Sequence, residues 1–275
     1  MSPGFWRIVA GKRFRAGNVH AVDAHGCGAF GTYRGRHVPG NTMSAPEATT
    51  IGVMEDRCDE AAAVILKRCR AARVWIAAAE SLTGGLLADA FVRIPGASTV
   101  FLGSAVTYDI AAKASILRVN EALLRREGAV HPMVAAQMAS STARLYDQAA
   151  YRHRVSGLST TGVAGPGPDG DKPAGLVYVG ISVPVTLMPE PGQRADAELD
   201  SRGRSMVGSS ACDTQWSWTR AGAADGRDAQ PRDSFADRVI WVGQLHGAGS
   251  REDIRRFTVL RTLQKLSLLT ANLQE

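Results

Sequence analysis

Cysteine is scarce and badly placed for either of its usual structural jobs. The four in the chain, Cys27, Cys58, Cys69 and Cys212, form no CxxC pair and have no histidine at metal-ligand spacing. A disulfide scaffold and a zinc-finger type of site are thereby excluded, and the expectation is a reduced, cytoplasmic protein that binds no metal. Long apolar runs are missing too. None approaches the roughly 20 residues that span a bilayer, and the opening MSPGFWRIVAGKRFRAG lacks the uninterrupted apolar core of a signal peptide. Neither membrane insertion nor export is expected. Acidic residues are nearly absent from the first 42 positions, where Arg7, Lys12, Arg13, Arg15, Arg34 and Arg36 face only Asp23. That stretch holds five of the six net positive charges of the chain, so the remainder is close to neutral and offers no basic face for nucleic acid. No reader motif for nucleic acid accompanies the scattered arginines either.

What the chain does contain, at 275 residues and 45% hydrophobic content, is enough to fold around a real core. Residues 1–53 read as a disordered leader or a mis-assigned start, with Met43 and Met54 as alternative initiators. From Glu55 onward Cys58, Ala61, Ala62, Ile65, Leu66 and Cys69 recur at helix spacing. Strands are expected at Arg73–Ala79 and at Thr99–Thr107, the latter apolar enough to be buried on both faces and central in a sheet. Helices are expected over Ile110–Leu117, over Asn120–Glu127 with Gly128 as the stop, and from Pro132 to Ala149. Strands return at Val155–Thr161, at LVYVGISV and at DRVIWVGQL, before a final helix in SREDIRRFTVLRTLQKLSLLTANL whose Ser250 and Asp253 suit a capping box. This alternation predicts an α/β fold, a three-layer sandwich with a central mixed sheet and helices on both faces. Residues 186–236 show no sustained period and read as a flexible insertion.

Three stretches could carry chemistry. AAAESLTGG places Ser81 on a strand-to-helix turn, where a hydroxyl serves either as a helix cap or as a nucleophile. Tyr108 and Lys113 follow the strand at its carboxyl end, where open α/β sheets form ligand crevices. A lysine can activate a serine only when neutral, which requires burial or a neighbouring cation; a solvated helix lysine is the alternative. Tyr108 equally suits a half-buried aromatic with its hydroxyl at the surface. TTGVAGPGP, at 160–168, offers turns whose N–H groups could meet an oxyanion or phosphate, or could simply make a tight loop. It is neither a P-loop, having no GK[ST], nor a G-x-G-x-x-G dinucleotide fingerprint.

In combination, AAAESLTGGLLADAFVRIPGASTVFLGSAVTYDIAAKASIL, REGAVHPMVAAQMASSTAR and TTGVAGPGPDGDKPAGLVYVGISV closely resemble the C-terminal domain of the competence-damage protein CinA, the nicotinamide-nucleotide amidase family. The resemblance covers about 54–183 and resumes at 237–273. It implies metal-free, cofactor-free hydrolysis of the carboxamide of nicotinamide mononucleotide to nicotinic acid mononucleotide and ammonia, in pyridine nucleotide salvage. Carried over by position, Ser81 is the nucleophile, Lys113 the general base and Tyr108 a supporting hydroxyl. Thr83, Gly84, Gly85, Thr161, Gly162, Gly165 and Arg251 are the implied substrate contacts. Ser250 stands where the family has an aspartate beside that arginine. The resemblance implies residues 54–275 as one amidase domain, a homodimer, and the stand-alone form, since the residues before the match are too few for a further domain. The rival reading is a non-catalytic nucleotide-binding or interaction module of the same fold.

Overall fold

The computed structural model describes residues 8–9, 12–13, 45–187, 215–220, 237–271 and 273. The chain divides into two units, Met1–Met43 and Ser44–Glu275. In the first, β1 (Ile8–Val9) and β2 (Lys12–Arg13) pair antiparallel, a short hairpin in a stretch where no strand is expected. The rest of that stretch lies outside the described residues.

In the second unit, helix α1 spans Ala45–Ala71, so the boundary expected at 53/54 moves upstream and Met54 lies inside a helix. Pro46 explains the early start, because proline fits a first helical turn, where its missing N–H would have no partner anyway. The expected apolar face is present, with Cys58, Ala62, Ile65, Leu66 and Cys69 buried. The chain then runs β3 (Trp75–Glu80), α2 (Leu86–Val92), β4 (Phe101–Val106), α3 (Ile110–Ser115), α4 (Glu121–Glu127), α5 (Pro132–Tyr146), β5 (Val155–Gly162), β6 (Leu176–Pro184), β7 (Gln215–Arg220), β8 (Arg238–His246) and α6 (Arg251–Thr270). The helix starts follow local chemistry: Asp109, Asn120, His131 and Ser250 each accept a hydrogen bond from a first-turn N–H. Ser250 and Asp253 complete the expected capping box.

The six larger strands form one mixed sheet in the order β4-β3-β5-β6-β8-β7. β4, β3 and β5 are parallel; β6, β8 and β7 are antiparallel to their neighbours. One face packs against α1, α2 and α6, through residues such as Ile65, Phe91 and Leu263 with Ile76, Leu158 and Ile181. The other carries α5, with Val134 and Met138 clustering with Ala79 and with Leu123 and Leu124 of α4. The three-layer sandwich expected from the alternation is thus the observed fold. Helix α5 lies almost on the sheet backbone: a Cβ at Gly157 would stand 1.9 Å from the Ala139 carbonyl oxygen, so only glycine permits that approach.

Two expectations are corrected. β4, expected in the middle of the sheet, is its parallel edge and pairs only with β3 among the described strands. Its apolarity is spent on one flank, where Phe101 stacks on Phe91, while Gly103, Ser104 and Ala105 stay half-buried. β7 lies within the segment expected to be an insertion and adds the other edge strand to β8. Trp216 secures it by lying over Gly243, where a Cβ would meet the indole at 2.8 Å, and Lys265 Nζ of α6 caps the ring 5.4 Å from its centroid. Residues 188–214 and 221–236 of that segment lie outside the described residues.

Candidate active site

The carboxyl ends of β3 and β4 bring the expected groups together. Strand β3 ends at Glu80, and the Ser81 N–H still donates to the Thr160 carbonyl at 3.0 Å, so the serine stands on the last rung of the sheet. The chain then reverses through 81–85. The Gly84 N–H closes the turn on the Ser81 carbonyl at 3.1 Å, and Gly84 and Gly85 take φ of +56° and +103°, where side-chain-bearing residues are strained. Ser81 is therefore not the N-cap of α2: that position belongs to Gly85, which has no side-chain cap bond.

Lys113 arrives from α3, a single short helix set by the Asp109 cap. Its side chain is fully buried, and Nζ lies 3.1 Å from Ser81 Oγ, 2.7 Å from the Thr107 carbonyl and 3.3 Å from the Tyr108 carbonyl. No ion pair holds its charge among the described residues. Burial pushes the amine down from 10.5 to about 8, opposed only by the Asp109 carboxylate. A neutral amine has two N–H donors and one lone pair. Charged, the amine donates to all three partners; once it has lost a proton, the two carbonyls can keep its two N–H donors and leave the lone pair for Ser81.

Tyr108 contributes to Lys113 through its backbone. The residue is 63% exposed, and its hydroxyl accepts from Arg251 Nη2 at 2.9 Å. Arg251 also donates from Nη1 to the Gly165 carbonyl. The arginine, the tyrosine and the glycine-rich loop thus form one rim, although Ser250 replaces the family's aspartate and 143 residues separate Arg251 from Tyr108.

The remaining expected contacts are placed differently. Thr83 is wholly buried, its hydroxyl donating to Glu80 Oε2 at 2.8 Å and lying 2.7 Å from Thr160 Oγ1. The Gly85 N–H goes to Glu80 Oε2 and the Gly84 N–H closes the turn, so neither glycine has its N–H to offer a ligand. Thr161 gives its hydroxyl to the Ala129 carbonyl at 2.7 Å. Gly162 serves packing, since a Cβ there would stand 2.6 Å from the Leu176 carbonyl oxygen. Within the described residues no three His, Cys, Asp or Glu side chains gather as a metal would require, and no helix is long and apolar enough to cross a membrane.

Residues 58–221 match the family described as the CinA C-terminal domain. This chain belongs to that family. Among curated relatives, it is 43% identical over 144 residues to a CinA-like protein of Frankia casuarinae, covering 51% of this chain and 31% of that protein. It is 46% identical over 113 residues to a CinA-like protein of Desulforapulum autotrophicum, covering 41% and 25%. The chain thus spans a third or less of the length of these relatives. Among solved structures, the competence/damage inducible protein CihA of Agrobacterium tumefaciens superposes with a TM-score of 0.51 at 26% identity, covering 76% of this chain and 93% of that one. A CinA superfamily protein of Escherichia coli, at 22% identity and a TM-score of 0.52 over 77% and 90%, shares the fold.

Two residues of this CinA domain that the sequence did not single out hold its serine turn. Glu80 is fully buried, and its carboxylate accepts from the Thr83 and Ser104 hydroxyls and from the N–H groups of Gly85, Leu87 and Ala88, all between 2.8 and 3.0 Å. Five donors replace the water a carboxylate would lose on burial. The signal was legible: an acid ending the apolar strand WIAAAE needs partners, and the start of a helix supplies them. Arg255, on α6, donates to the Leu82 carbonyl at 2.9 Å and the Thr83 carbonyl at 2.8 Å. It stands one helical turn from Arg251, so these two arginines reach the site from one face of one helix.

Proposed function

We propose that the domain is an amidohydrolase that deamidates nicotinamide mononucleotide to nicotinic acid mononucleotide and ammonia. The observation that carries this reading is the buried Lys113 amine, hydrogen-bonded to no carboxylate among the described residues and 3.1 Å from the Ser81 hydroxyl. An amide is a poor electrophile, so it needs an activated nucleophile, donors for the oxyanion and an acid for the leaving amine. Ser81 Oγ attacks the carboxamide carbon as its proton passes to the Lys113 lone pair. The tetrahedral intermediate collapses when the ammonium form of Lys113 returns that proton to the departing nitrogen, releasing ammonia and leaving an acyl ester on Ser81. Water, deprotonated by the same amine, hydrolyses the ester and restores the serine. Arg251, at the open rim with Tyr108 and Gly165, is the cation suited to the substrate phosphate. The class of reaction rests on the serine and lysine, and the choice of a pyridine nucleotide rests on kinship with the family.

The test is ammonia release from nicotinamide mononucleotide by purified protein, set beside Ser81→Ala. Turnover in the wild type and none above background in the variant, with melting temperatures within a few degrees, is the expected result. A folded wild type that releases no ammonia would leave a binding module as the better description.

A further inference from the structure

Nucleophile and base are both referenced to one residue, Glu80. Its carbonyl accepts the Thr107 N–H at 2.9 Å, and the Thr107 carbonyl in turn accepts from Lys113 Nζ at 2.7 Å. Ser81 follows directly, with its N–H on the Thr160 carbonyl of β5. These rungs place the serine backbone relative to the amine, but the direction of its hydroxyl also depends on the turn beyond, and there the Glu80 carboxylate takes over. Oε2 accepts from the Thr83 hydroxyl at 2.8 Å and from the N–H groups of Gly85 and Leu87 at 2.9 and 3.0 Å. Oε1 accepts from the Ala88 N–H at 3.0 Å and the Ser104 hydroxyl at 2.8 Å. The bond to Gly85 closes residues 80–85 into a ring that contains the serine. Thr83 Oγ1 also lies 2.7 Å from Thr160 Oγ1, so one carboxylate ties the turn to β5 through Thr83 and to β4 through Ser104. An ordinary helix start asks for none of this, because a Ser, Thr, Asp or Asn at the N-cap satisfies its N–H groups. Here the N-cap is Gly85, without a side-chain bond, and the first-turn N–H groups are gathered by the residue in front of the serine, at the desolvation cost of a buried carboxylate.

We propose that Glu80 is a positioning residue for the reaction at Ser81: its carboxylate closes the turn around the serine and so keeps Ser81 Oγ within hydrogen-bond distance of Lys113 Nζ. This rests on the acyl-transfer reading of Ser81. Glu80 touches no substrate and transfers no proton in this scheme, since it is wholly buried and both its oxygens are taken by donors. Both oxygens are needed. A glutamine keeps one acceptor: with its oxygen toward Gly85 and Leu87 its NH2 group meets the Ala88 N–H, and turned over it meets two N–H groups instead. A donor set against a donor forces the turn or the start of α2 to move.

The test uses full-length wild type and Glu80→Gln with three readouts: ammonia release from nicotinamide mononucleotide, the pH midpoint of that activity, and the rate at which a fluorophosphonate labels Ser81, followed by intact mass. Misplacing a reacting group by about 1 Å costs roughly 100-fold. Glu80→Gln is therefore expected to lose about 100-fold in kcat with KM within about threefold, and to label more slowly by a similar factor. The pH midpoint should stay in place, because among the described residues it is Asp109, not Glu80, whose charge bears on the Lys113 amine. Should that variant fail to fold, Thr83→Val is read in its place. It keeps the side-chain shape, takes one donor from Glu80 and breaks the link to Thr160, and should lower kcat and the labelling rate about tenfold at constant KM. Turnover and labelling within about threefold of wild type, or a change confined to KM, would overturn the proposal. So would a pH midpoint displaced downward, which would make Glu80 an electrostatic partner of Lys113. A wild type that labels at Ser81 but releases no ammonia would refute the amidase reading alone, and the labelling ratio would then decide the role of Glu80. A wild type that does neither would remove Ser81 as nucleophile and Glu80 with it.

Discussion

Lys113 and Lys265 are both buried lysines, one on the parallel half of the sheet and one on the antiparallel half, and burial makes both amines less basic than usual. Their surroundings diverge from there. Lys265 extends over the Trp216 indole, whose face favours the charged ammonium, and the pair pins an edge strand to the last helix. Lys113 meets two peptide carbonyls and a serine hydroxyl, which satisfy a neutral amine and give its lone pair a proton to take. A low pKa alone is therefore a poor sign of function. What separates the two sites is a hydroxyl within hydrogen-bond reach at the carboxyl end of a parallel strand.

The largest expected effect that tests this contrast is Lys113→Arg. A guanidinium keeps its proton near neutral pH, so the serine loses its base and kcat should fall by about 100- to 10,000-fold. Ammonia release measured beside circular dichroism would check it; normal turnover would erase the distinction between the two lysines. In the wild type, kcat/KM should rise with pH through about 8, as the amine loses its proton.

A smaller effect concerns stability. In the unfolded chain the Lys113 amine keeps its ordinary value near 10.5, against about 8 when folded. Between those values the unfolded state binds more protons, so stability contributed by this group rises with pH through that window, and the full penalty applies below about pH 8. Lys113→Met removes the penalty. The inactive variant should be more stable than wild type at pH 7 by up to roughly 3 kcal/mol, and the gap should close as pH approaches 10.5. Denaturant midpoints at pH 7 and pH 10 would check both sign and trend.

The smallest effect is expected at Lys265. Lys265→Met keeps the length and apolar stem and gives up a contact worth about 0.5–2 kcal/mol when desolvated. Thermal melting should register that loss while kcat/KM stays within about twofold of wild type. A large fall in activity would mean that the antiparallel half contributes to the site after all.

That Ser81, Lys113, Tyr108 and Arg251 would meet was legible because each sits in a short motif with few substitutes. Glu80 and Arg255 were harder to find, since each acts on backbone groups of another segment, and pairings across 173 residues leave no local pattern. The alternation of strands and helices gave the three layers. Strand order could not be read the same way: the run TVFLGSAVT is apolar enough for an interior place, yet it lies at an edge. Hydrophobicity records how much of a strand is covered, and not by which neighbour. β7 was missed for the opposite reason, because six residues with two tryptophans are diluted by the polar sequence around them.

The grip of α6 on the Ser81 turn also bears on how the protein is made. Arg251 and Arg255 are synthesised long after Ser81 and Lys113, and they tie segments that have by then already left the ribosome. Early segments can begin to fold as they emerge, but a nascent chain that lacks α6 has a serine turn whose peptides are not yet fixed and a rim without its cation. The geometry delays completion of the Ser81 turn until α6 has been made and has docked on it.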